Sequence, residues 1–175
     1  GMSPWGAKPG TKWINGQCEA ESGSGIVPYF FSPKVGVNAV QWAIGLELML
    51  MVDNPYQIFM TSDHPNGAPF TTYPMILKWL MDKNARKEML ENVVSKKAST
   101  ATHLGDLDKE LTLNEICIMT RAGTAKALGL YDRGHLGVGA IGDVAIFDLD
   151  PENLDGDAVE HAFTAAAYTI KDGQI

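Results

Sequence analysis

What the chain lacks sets its bounds. Only two cysteines occur in 175 residues, Cys18 and Cys117. They lie far apart in sequence, which argues against a disulfide framework and a zinc ribbon. A reduced, cytoplasmic setting is the simpler expectation. Long apolar runs are missing as well. The segment from Val40 to Val52 is interrupted by Gln41 and Glu47, so it predicts a buried helix rather than a membrane span. No signal peptide is recognisable. Positive charge is scarce: Lys and Arg number 14 against 21 Asp and Glu, for a net charge of −7. With no basic stripe either, a binder of nucleic-acid phosphates is not expected. His-x-His, His-Glu-x-x-His and Cys/His pairs at metal-ligand spacing are also absent, as are internal repeats and low-complexity segments.

What remains is an ordinary globular composition, 45% hydrophobic and 20% charged. The 175 residues suffice for one domain with a real core. They fall short of the roughly 250 that a whole (β/α)₈ barrel needs. Gly1-Met2 reads as an expression scar outside the fold.

Residues 1–25 are rich in Gly, Pro, Ser and Lys and read as loop, with a short strand near Lys12 to Ile14. A second short strand is expected over Ile26 to Phe31, interrupted by Pro28. Asn38 is a good N-cap for a helix over Ala39 to Val52. That helix is apolar nearly all round and so calls for a covering layer; Asp53-Asn54-Pro55 stops it. Residues 57–62 read as a short buried strand. Thr72 as cap and Pro74 in the first turn open a helix over 74–82. Asn84 is the expected cap of a helix over 85–94, and 96–109 reads as loop. Thr112-Leu113-Asn114-Glu115 is a capping box, and its helix should break near Ala122-Gly123 before a short helix ended by Gly129. Strands are predicted over 143–150, between Gly142 and Pro151, and over 162–171. The second runs into Asp172-Gly173, a strong hairpin signal. With so little chain after that turn, a truncated sheet is the expectation.

Asp63 follows the predicted strand 57–62 directly, and a Pro- and Gly-rich loop follows it. A carboxylate at the C-terminal tip of a barrel strand is where (β/α)₈ enzymes keep their chemistry. In metal hydrolases such a group binds the metal and accepts a proton from the attacking water; the plainer alternative is a turn cap. His64, pointing elsewhere, either contacts substrate or fixes the loop. His103, His135 and His161 read as structural or solvent-exposed. The glycine run Gly134 to Gly142 has no strand before it and no Gly-Lys-Ser/Thr after it, so it is a turn feeding a sheet and not a phosphate loop. Arg121 and Arg133 are candidate anion binders, although Arg121 sits at a helix end where a cation suits the dipole.

Three runs carry a family resemblance. Gly25-Ile26-Val27-Pro28-Tyr29, Val37 through Leu48 and Thr61-Ser62-Asp63-His64-Pro65-Asn66-Gly67 resemble the A subunit of formylmethanofuran dehydrogenase, within the amidohydrolase superfamily. Thr120 to Leu130 and Gly137 to Phe147 resemble amidohydrolases generally. The resemblance implies an α/β fold: the C-terminal part of a metal-dependent amidohydrolase (β/α)₈ barrel over 1–130 and pieces of a small β-sandwich over 131–175, in a helix-rich fragment. It implies an enzyme that condenses formate with methanofuran or hydrolyses N-formylmethanofuran. Asp63 would be catalytic and a metal ligand, with His64 and Asn66 on the substrate.

The cofactors implied are dinuclear zinc in the full-length protein and, in a partner subunit, a tungsten or molybdenum pterin. The partners implied are the other subunits of the dehydrogenase or formyltransferase/hydrolase complex and a methanofuran-type small molecule, with no nucleic acid and no membrane. The family's His-x-His, modified Lys and further His ligands have no counterpart here. The fragment is therefore expected to lack a complete metal site, to be inactive alone and to self-associate or repack. Two alternatives stand beside this: another amidohydrolase acting on N-acyl or cyclic amides, and a non-catalytic interaction domain.

Overall fold

A computed structural model describes residues 32–62, 64 and 68–174. The strand expectations near 12–14 and 26–31 lie outside the described residues, as do Asp63 and Asn66.

Helix α1 spans Gly36–Met51. Its N-cap position is Val35, not Asn38. Asn38 is buried, and its side-chain oxygen accepts from the Ser32 N–H at 2.9 Å, tying down the incoming chain. Ala39, Ala43, Leu46 and Leu50 form the buried face of α1. The opposite face is also apolar and open: Val40, Ile44, Leu48 and Met51 are 37, 42, 55 and 65% exposed.

The expected strand 57–62 does not form. Pro55–Gln57 is a 3₁₀ turn, capped by the Asn54 side chain. Residues 58–62 run extended, outside the one sheet found among the described residues. A parallel strand exists only through its neighbours, and the sole ladder among the described residues is elsewhere.

A 3₁₀ turn over Phe70–Thr72 leads into α2, Tyr73–Met81. Thr72 occupies the cap position, but its hydroxyl donates backwards to Pro69 O at 2.7 Å and caps nothing. Asp82, extended at φ −132°, separates α2 from α3, Lys83–Glu88. Asp82 is the true cap of α3, accepting from the Asn84 and Ala85 N–H groups, so the cap lies two residues before the expected Asn84. A π-helical turn, Met89–Val93, continues α3.

The region 96–109, expected to be loop, holds α4 (Lys96–Ser99) and a 3₁₀ turn (Leu104–Asp106). Ser95 caps α4, and Ala98 and Leu104 enter the core. From α1, Glu47 reaches this segment and accepts from the Thr102 hydroxyl and the His103 N–H. Arg86 fixes its far end. The side chain is 1% exposed and donates to the carbonyls of Trp79, Leu107 and Lys109.

The capping box forms as read: Glu115 N–H donates to Thr112 Oγ1 at 3.2 Å, and Thr112 N–H donates to the Glu115 carboxylate at 2.8 Å. It starts α5, Leu113–Cys117. The expected break is a π-helical turn, Ile118–Ala122, that runs on into α6, Gly123–Ala127. At Gly129, φ is +74°. Gly129 N–H donates to Lys126 O and Leu130 N–H to Ala125 O, a Schellman end that favours glycine.

The two strands are shorter than predicted: β1 is Val144–Ile146 and β2 is Tyr168–Ile170, antiparallel with Val144 opposite Ile170. Between them stands a helix that the sequence does not announce, α7, Gly156–Ala162, capped by Asp155. The segment expected as strand from 162 is therefore helix end and turn until 168. Asp172 and Gly173, at φ 52° and 77°, make the expected turn, closed by a Lys171–Gln174 bridge. The Asp143 carboxylate takes the Lys171 ammonium at 2.8 Å and the Asp172 N–H at 3.0 Å; the Lys171 hydrogen bond holds its pKa below the usual carboxylate range.

The architecture is a helix-rich body with a small two-stranded sheet. Its core joins α1, α2 and the α5 segment through Leu46, Leu50, Leu77, Leu80, Ile116 and Met119, with Trp42 edge-on to Trp79 at 5.4 Å. Helix α7 packs on α2, and Val159 enters the same core. No helix among the described residues is long and apolar enough to cross a membrane.

Candidate functional site

The strip 58–62 leads to the candidate site. Burial alternates along it: Ile58, Met60 and Ser62 turn inward, while Phe59 and Thr61 are exposed. That alternation is what an extended chain imposes, pairing or not. Phe59 lies against α6. A Cβ on Gly123 would stand 3.2 Å from Phe59 Cε1 and 2.8 Å from Ile118 O, so only glycine admits this approach. Lys126 Nζ sits over the Tyr56 ring, 5.2 Å from its centroid, and ties the preceding turn to the same helix.

Ser62 is 8% exposed, and its hydroxyl has no hydrogen-bond partner among the described residues. Its carbonyl accepts from Ala68 N–H at 2.8 Å and so closes the loop between them. Asp63 and Asn66 belong to that loop and lie outside the described residues. His64 is exposed, its ring edge-on to Phe70 at 5.2 Å and 71°. Phe70 is itself 60% exposed. Sequence reasoning does not single out Phe70.

The other histidines are exposed, in line with the sequence reading. His103 lies 3.7 Å from Asp106. His135 folds over its own turn, with Nδ1 accepting from Gly137 N–H and Nε2 near Tyr131 O. The glycine run does lead into β1 and cradles no helix N-terminus. Gly134 packs tightly on α6: a Cβ there would meet Ala125 Cβ at 2.6 Å. Arg133 is paired with Asp132 and Asp143, and Arg121 donates to Thr120 O. Among the described residues, no three His, Cys, Asp or Glu side chains converge to hold a metal ion.

One concavity is lined by residues outside this strip. It is an open groove of about 540 Å³ lined by Asp82, Glu110, Thr112, Leu113, Leu154 and Asp155, among others. Its Asp82, Glu110 and Asp155 side chains are already accepting backbone N–H groups.

Known proteins resemble the chain along nearly its full length. Protein FwdA of Methanocaldococcus jannaschii is 52% identical over 167 residues, which cover 95% of this chain and 29% of that protein. The A subunit of the formyltransferase/hydrolase complex Fhc of Methylorubrum extorquens is 44% identical over 172 residues, 97% of this chain and 29% of that protein. The X-ray structure of the formyltransferase/hydrolase complex FhcABCD from Methylorubrum extorquens, in complex with methylofuran, matches with a TM-score of 0.76 at 41% identity. That match covers 85% of this chain and 26% of the matched one. The chain thus spans about 29% of the length of the curated relatives it matches. Residues 10–175 match the model of the amidohydrolase family, and the chain belongs to that family.

Proposed function

We propose that this chain is part of the A subunit of a formylmethanofuran dehydrogenase or a formyltransferase/hydrolase complex. In this role the whole subunit hydrolyses, or forms, the formamide bond between formate and the amine of a methanofuran-type carrier. The carrying observation is the 52% identity to FwdA over 95% of the chain. The 0.76 match to a complex that holds methylofuran points to the same carrier.

Asp63 is the proposed proton acceptor. Water adds to the formyl carbon and gives its proton to the Asp63 carboxylate. The proton then passes to the amine nitrogen as the C–N bond breaks, releasing formate and free amine. His64 and Asn66, on the same loop, are the proposed substrate contacts. Dinuclear zinc and a tungsten or molybdenum pterin in a partner subunit belong to the proposal for the whole complex. With no donor cluster among its described residues, this chain alone is proposed to be inactive. Residues 1–130 are assigned to a barrel portion and 131–175 to part of a small β domain. The proposed setting is cytoplasmic, among the other subunits of the complex, with no nucleic acid and no membrane; the net charge of −7 supports the exclusion of nucleic acid.

The test is a substrate panel on the metal-loaded full-length subunit: N-formylmethanofuran, N-acyl amino acids and cyclic amides. Turnover confined to the formamide is the expected result. Preference for an N-acyl amino acid or a cyclic amide would overturn the assignment.

A further inference from the structure

We draw no further inference here: the strongest candidate, the open groove where the capped starts of α3, α5 and α7 meet, is an acidic cluster whose Asp82, Glu110 and Asp155 side chains already accept backbone N–H groups, and nothing else among the described residues points to a ligand there.

Discussion

Asp82 and Gly156 join segments that are 74 residues apart. Gly156 N–H donates to Asp82 Oδ2 at 3.2 Å, while Asp82 Oδ1 caps α3. A Cβ on Gly156 would stand 2.6 Å from that same oxygen and 3.0 Å from Lys78 Cγ. Lys78 then pairs with Asp157 at 2.5 Å and Glu160 at 3.0 Å. One carboxylate thus ends α2, starts α3 and seats α7.

A double-mutant cycle tests this. Gly156→Ala should destabilise the chain by about 1–3 kcal/mol through overpacking. Asp82→Ala should cost about 1–2 kcal/mol as a lost cap. In the Asp82→Ala background the alanine at 156 should become cheaper by about 0.5 kcal/mol or more. Strict additivity in urea unfolding would show that the two residues are not coupled.

Arg86 concentrates three carbonyl acceptors on one buried guanidinium, whose pKa is lowered by desolvation yet raised by nearby Glu110, Asp82 and Asp108. Arg86→Met strands those carbonyls, and a loss of about 3 kcal/mol is expected. Arg86→Lys should recover little, because an ammonium cannot span the fork. Equal stability of Arg86→Lys and wild type in thermal melts would contradict this role.

Glu115 gives a pH prediction with a definite sign. Burial raises its pKa, but the Thr112 N–H and hydroxyl and Lys109 outweigh it, so the net shift is downward. A carboxyl with a depressed folded-state pKa adds stability above its unfolded value and loses it as pH falls through the folded one. The capping box should therefore weaken on acidification. Glu115→Gln should flatten the acid limb of the stability profile, and Thr112→Ala should cost about 1 kcal/mol at neutral pH. An acid limb identical in Glu115→Gln and wild type would refute the assignment.

The open stripe of α1 bears on association. Val40, Ile44, Leu48 and Met51 recur at helical spacing on a face with no cover among the described residues. The isolated chain should self-associate through it. Light scattering should show oligomers for the wild type and a shift towards monomer for Ile44→Lys with Leu48→Lys. A clean wild-type monomer at high concentration would contradict this.

What can be read from the sequence is local. Thr112 with Glu115, the Asp172-Gly173 turn and Gly129 are short patterns that satisfy their own backbone groups, and each forms. The strip 57–62 has the residues of a strand, yet pairing is non-local and no described neighbour supplies it. Caps are ambiguous where two candidates stand close: Asp82 outcompetes Asn84 because it also meets Gly156, and Asn38 serves Ser32 instead of its own helix. Helix α7 has a faint signature because its apolar positions are few, Val159 and Ala162, and the start signal at Asp155 precedes a glycine. At the site, the Asp63 loop stands out by composition and resemblance, whereas the contact of His64 with Phe70 is visible only in the structure.

The central claim is that Asp63 is the proton acceptor of a formamide hydrolase. Asp63→Asn in the full-length subunit tests it most directly, assayed as turnover of N-formylmethanofuran with folding checked by thermal melting. The predicted result is a rate loss of roughly 10²–10⁴-fold at unchanged Tm. Turnover near the wild-type rate would contradict the account.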